Sequence, residues 1–188
     1  MSYEVELKYP VSDAADLESK IEALEPERTM VREEFDVYFS HPARDFRQTD
    51  EALRMRRVGQ RCSLTYKGPK IDTTSKTRRE IDLSLPPGLR MFDEWAELLS
   101  ALGFEPVAEV KKLRRKLWIK WQGLPVEISL DHVEGVGRYV ELETLAEEED
   151  VPAARAKLEE LAAHLGLKDS ERRSYLELLL ENRGRCEG

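Results

Sequence analysis

Charged side chains in this chain fall at alternate positions along several short segments, so each segment, if extended, gathers them on one side. Glu4, Glu6 and Lys8 share a side of residues 3–9, and Arg54 and Arg56 share a side of 52–58. Lys112, Arg114 and Lys116 do the same in 107–121, as do Glu141 and Glu143 in 138–144. Acids dominate the first and last of these segments, bases the middle two. Carboxylates two residues apart on a strand can offer their oxygens to one hard divalent cation. Arginine and lysine offer donors to phosphate. A sheet closed with this face inward would bring opposite charges together around a polyanion and metal ions. The same pattern also describes a solvated sheet face, whose cross-strand ion pairs each contribute only about 0.2–1 kcal/mol. Spacing alone leaves both readings open.

The elements that must position these residues follow from hydropathy periodicity. In 3–9, Tyr3, Val5, Leu7 and Tyr9 lie opposite the charged set. In 31–39, Val31, Phe35, Val37 and Phe39 lie opposite Arg32, Glu34, Asp36 and Tyr38. Further strands are predicted at 52–58, 62–67, 77–83, 125–131 and 138–144, with 107–121 as one long strand or a bent pair. Helices are predicted over 13–24, 89–102, 151–165 and 170–182. The polar stretch 68–76 reads as a mobile loop, within which Lys70 could touch phosphate. No repeat or linker interrupts the chain, so one domain is expected over 1–182, with a C-terminal tail at 183–188.

The 188 residues are 40% hydrophobic and 36% charged, with a formal net charge of −8. Residues 141–188 hold 13 acids and 7 bases, whereas 44–80 hold 11 bases and 5 acids. The overall balance disfavours a nucleic-acid surface, which carries a basic footprint. No apolar run reaches the ~18 residues of a membrane span, and no signal peptide is evident. Cys62 and Cys186 make neither a disulfide framework nor metal-ligand spacing. A soluble cytoplasmic protein with no nucleic-acid or membrane partner is expected.

Several segments then recur in a telling order. They are Glu4-Val5-Glu6-Leu7-Lys8 (an ExExK pattern), LRMRR with Arg54 and Arg56, LTYKGP with Lys67, and TRREIDL with Arg78 and Glu80. VKKLRR follows with Lys112 and Arg114, then ISLDHVEGVGRYVELE with Asp131, Glu141 and Glu143, and finally SYLELLL at 174–180. Spanning residues 3–180, this order resembles the CYTH superfamily, the triphosphate tunnel metalloenzymes, and within it the class IV adenylyl cyclase (CyaB-type) branch. The resemblance implies an α+β fold, a closed eight-stranded antiparallel β-barrel with flanking helices on its outer surface. It also implies a triphosphate in the tunnel, bound with Mg²⁺ or Mn²⁺.

On that expectation Lys8, Arg54, Arg56, Lys67, Arg78, Lys112 and Arg114 form a clamp, because fixed cations aimed at phosphate oxygens stabilise their charge. Acids facing a polyanion need a cation between them, which assigns Glu4, Glu6, Glu141 and Glu143 to metal, with Asp131 and Glu80 as further candidates. Asp131 equally suits orienting a clamp arginine. Lys8, Lys112 and Tyr38 are the candidate catalytic residues. In hydrolytic relatives a tyrosine–lysine pair handles the nucleophilic water, and Tyr38 and Lys112 would fill those places; the other reading of Tyr38 is an aromatic closing the tunnel end. Two reactions suit such a site. The 3′-hydroxyl of ATP attacks the α-phosphorus and expels pyrophosphate, or water attacks the terminal phosphorus of tripolyphosphate, thiamine triphosphate or a nucleotide. A third reading is a binding module without turnover. The expected partner is a small-molecule triphosphate, with a homodimer left open.

Overall fold

In the computed structural model, residues 2–70 and 78–186 are described. The strands are β1 (Ser2–Pro10), β2 (Arg28–Phe39), β3 (Ala52–Val58), β4 (Arg61–Lys70), β5 (Arg78–Leu85), β6 (Pro106–Trp121), β7 (Leu124–Val133) and β8 (Gly137–Glu147). They close into a barrel in the order β1-β5-β4-β3-β2-β6-β7-β8, each neighbouring pair antiparallel. The helices are α1 (Ala14–Glu22), α2 (Leu89–Ala101), α3 (Val151–Leu165) and α4 (Tyr175–Cys186). Among the described residues, no helix is long and apolar enough to cross a membrane.

The barrel is built inside out relative to an ordinary globular core. Its apolar face points outward and is covered by helices. Val5, Leu7, Leu117, Ile128 and Leu142 pack with Leu158, Leu161 and Leu165 of α3 and Ile21 of α1. On the other side Val37, Leu53 and Met55 pack with Phe92 and Leu99 of α2. Burial of each such side chain stabilises the fold by roughly 1.5–3 kcal/mol. Because side chains alternate along a strand, the charged positions are thereby turned into the lumen.

β6 is a single strand, since β2 and β7 pair with it along nearly its whole length, from Arg28↔Trp118 to Tyr38↔Ala108 and from Lys112↔Val133 to Trp121↔Leu124. Residues 68–70 extend β4 rather than forming a loop, and the rest of that predicted loop, 71–76, lies outside the described residues. α4 starts at Tyr175, not 170, because a capping box sets its beginning. The Glu177 N–H donates to Ser174 Oγ at 3.1 Å, and the Ser174 N–H donates to the Glu177 carboxylate at 2.6 Å. The helix then runs on through residues 183–186, read from sequence as tail. Tyr175, Leu178 and Leu179 pack on the inward-facing Tyr38, Val110 and Val133 and close that end of the barrel.

Candidate active site

A cavity of about 690 Å³ occupies the barrel, within the range of small-molecule sites. Its wall includes the basic residues Arg54, Arg56, Lys67, Arg78, Lys112 and Arg114 and the acids Glu4, Glu6, Glu80, Glu141 and Glu143. The barrel therefore brings together, from six strands, residues that lie up to 139 positions apart in sequence. Lys8 and Asp131 stand behind this wall, each engaged by the segment that leads into α4.

On the basic side, β2 contributes two acids that the motif reading passed over. Arg56 Nε and Nη2 donate to Asp36 at 2.6 and 2.7 Å, and Arg56 Nη1 lies 2.9 Å from Glu34. Lys112 Nζ is 3.1 Å from Glu34 and 3.4 Å from Asp36. Burial alone would raise the pKa of both carboxyls, but Lys112 and then Arg56 outweigh it and hold them well below the carboxylate range. Burial, followed by the neighbouring Arg56, pushes the Lys112 ammonium down, against the pull of Asp36 and Glu34. The signal for Glu34 and Asp36 was present in the alternation of 31–39, which already placed both on the inward face.

Among the described residues, two donors on this side, Arg54 Nε and Arg78 Nε, are buried without a hydrogen-bond partner, a costly state for a charged donor unless an anion enters. Lys67 bonds Glu80, and Arg78 Nε is 3.5 Å from the same carboxylate, beyond good hydrogen-bond length. Lys67 holds Glu80 below its usual pKa despite burial.

Arg114 joins the two sides. Its Nε donates to Asp131 Oδ1 at 2.6 Å, and its Nη2 bonds both Asp131 and Glu141. Asp131 thus orients a guanidinium. Lys8, 1% exposed, donates to the Arg173 carbonyl, with its ammonium 4.2 Å from the Tyr175 ring centre.

The acidic side shows the strain that a cation would relieve. Glu143 on β8 stands directly across from Glu6 on β1 and from Glu127 on β7, and like charges directly opposite one another are destabilising. Glu127 is the other acid missed from sequence; Lys116 bonds it. Burial, then Glu4, Glu127 and Glu6, push the Glu143 carboxyl up to about 9. Burial, with Glu80, Glu6 and Glu141 against the attraction of Lys67, takes Glu4 up to about 7. Among the described residues, no three acid, histidine or cysteine side chains already converge as a finished metal site. This donor set fits Mg²⁺ or Mn²⁺, which take carboxylate oxygens and fill their remaining positions with waters and substrate phosphates.

Tyr38 and Lys112 are not hydrogen-bonded to each other. Tyr38 faces Arg54 across the β2–β3 ladder, while the Lys112 ammonium lies at Glu34 and Asp36. Burial pushes the Tyr38 phenol up, and its ring belongs to the apolar cluster under α4.

This barrel has close counterparts. The family model described as CYTH domain matches residues 2–175. A Methanocaldococcus jannaschii protein provisionally named an adenylate cyclase is 34% identical over 180 residues, covering 93% of this chain and 97% of the relative. Adenylate cyclase CyaB of Aeromonas hydrophila is 29% identical over 179 residues, covering 92% and 86%. Among solved structures, the PH1819 protein of Pyrococcus horikoshii superposes with a TM-score of 0.84 at 46% identity, covering 96% of this chain and 99% of that one.

Proposed function

The chain belongs to the CYTH domain family, and from that premise we propose that it is a divalent-metal-dependent enzyme that binds the triphosphate of ATP in its tunnel and forms cyclic AMP and pyrophosphate. The observation that carries the triphosphate reading is a pair of buried donors, Arg54 Nε and Arg78 Nε, with no hydrogen-bond partner among the described residues, in a cavity whose other wall is acidic. An anion alone would satisfy the first wall and be repelled by the second. A polyanion carrying a divalent cation satisfies both.

In this reading Arg54, Arg56, Arg78 and Lys67 hold phosphate oxygens, and Arg114 is kept in orientation by Asp131. Glu4, Glu6, Glu141 and Glu143 would hold the Mg²⁺ or Mn²⁺, which supplies charge stabilisation on the triphosphate. The 3′-oxygen bonds to the α-phosphorus as the bond from that phosphorus to the bridging oxygen breaks, and pyrophosphate leaves. The hydroxyl proton passes to a tunnel base. Lys112, an ammonium between the Glu34 and Asp36 carboxylates at 3.1 and 3.4 Å, would act on phosphate oxygens as a charge and would not take that proton. The adenylate cyclase names of two relatives favour this reaction.

Hydrolysis is the second reading, and it would draw on a Tyr38–Lys112 pair to handle water. In this structure the Asp36 carboxylate lies 3.4 Å from the Lys112 ammonium and 4.0 Å from Arg54. Incubation with ATP and Mg²⁺ or Mn²⁺, followed by separation of products, decides the reaction. Cyclic AMP with pyrophosphate is expected. ADP with phosphate would replace the cyclase by a phosphohydrolase, and no product from ATP, thiamine triphosphate or tripolyphosphate would leave only a binding module.

A further inference from the structure

The segment SYLELLL supplies no strand to the barrel, yet its first four residues and Leu180 line the cavity. The Ser174–Glu177 capping box fixes the start of α4, and the residue it aims inward is Tyr175, 5% exposed. The Tyr175 hydroxyl donates to Asp131 Oδ2 at 2.7 Å. The same carboxylate receives Arg114, whose Nη2 continues to Glu141. The face of the ring lies 4.2 Å from Lys8 Nζ and 5.3 Å from Lys112 Nζ. One side chain from outside the barrel therefore touches two cations of the predicted clamp through its ring and a third through a carboxylate.

Each contact has a definite effect. Asp131 Oδ2 is shared between the phenol and the guanidinium, so the hydroxyl fixes the plane of the carboxylate and moderates its hold on Arg114. Without the hydroxyl, that oxygen turns to Arg114 alone and draws the guanidinium away from the lumen. The ring attracts both ammonium groups within the range where a cation over an aromatic face gains energy. It holds Lys8 near the Arg173 carbonyl and offsets the pull of Glu34 and Asp36 on Lys112.

We propose that Tyr175 is a positioning residue of the triphosphate clamp, holding Arg114 through Asp131 and seating Lys8 and Lys112 on its ring. This rests on the triphosphate reading above.

The test is calorimetric titration of inorganic tripolyphosphate with Mg²⁺ into the wild type, Tyr175→Phe, Tyr175→Leu, Asp131→Asn and the Asp131→Asn/Tyr175→Phe double variant. Circular dichroism melts monitor folding throughout. Tyr175→Phe keeps the ring and is expected to weaken binding about 3- to 10-fold. Tyr175→Leu removes the ring as well and should weaken it further by a similar factor. In the Asp131→Asn background, Tyr175→Phe should change affinity by less than about twofold, because the two act along one path. A purely structural tyrosine would instead give additive losses that follow the melting temperature. Wild-type affinity in Tyr175→Phe, or additivity in the double variant, overturns the inference while leaving the triphosphate reading intact. Failure of the wild type to bind tripolyphosphate overturns that reading, and this inference with it.

Discussion

Arg56 and Asp36 face one another across β3 and β2 and meet through two parallel hydrogen bonds of 2.6 and 2.7 Å. A guanidinium of the proposed phosphate clamp thus already grips a carboxylate, in the bidentate form it would use on a phosphate. Asp36, fully buried, lies among three cations and offsets their mutual repulsion.

Asp36→Asn should therefore destabilise the ligand-free protein by about 3–5 kcal/mol, because it leaves buried cations undercompensated. Tripolyphosphate supplies the missing charge, so its stabilising shift in melting temperature should exceed that of the wild type. A smaller shift in the variant would count against a clamp centred on Arg56.

Acid should unfold the protein through β2. Glu34 and Asp36 have ordinary pKa values of 4.5 and 3.8 when unfolded and lie far below these when folded. Their contribution to stability is fully present above the unfolded values. It is lost as pH falls below about 4.5, because the unfolded chain takes up protons that the native one does not. Denaturant melts of Glu34→Gln should be flatter with pH between pH 5 and pH 3 than those of the wild type.

Glu4 and Glu143 carry the opposite sign. Their folded pKa values lie above 4.5, near 7 and 9, so the native protein holds protons there that the unfolded chain releases, and stability falls as pH rises through that window. A bound divalent cation requires the ionised forms. Mn²⁺ binding at pH 7 should release protons and should tighten as pH rises toward 9. Calorimetry in buffers of different ionisation enthalpy measures the release. Glu143→Gln should reduce it and also stabilise the metal-free protein at pH 8.

Arg78→Lys keeps the charge but removes a buried donor. A drop in kcat/KM of about 10- to 100-fold is expected, with the melting temperature within a few degrees of wild type. Unchanged kinetics would remove Arg78 from the clamp.

Alternation made the barrel largely legible, because each strand must hide one apolar side under helices. Val5 and Leu7, or Leu117 and Ile119, declare the outward face, and Glu4, Glu6, Arg114 and Lys116 are then inward by default. What alternation does not encode is which residue of another strand lies opposite. Glu34 and Asp36 were visible as inward, but β2 mixes Arg32 with two acids, so its sign carried no simple message until the register set Asp36 beside Arg56. The clash of Glu143 with Glu6 and Glu127 belongs likewise to strand pairing. The start of α4 was legible in the S-x-x-E of Ser174–Glu177, although hydropathy alone extended the helix back to 170. That Tyr175 would reach Asp131 depends on how the helix lies across the barrel end.

Glu4 on β1 and Arg78 on β5 face one another across the barrel wall. One is a proposed metal ligand and the other a proposed phosphate donor. A triphosphate and its cation lodged between them would tie the first strand of the barrel to its fifth, so that the ligand would act as a rivet between neighbouring staves. Amide exchange in β1 and β5 is expected to slow on binding.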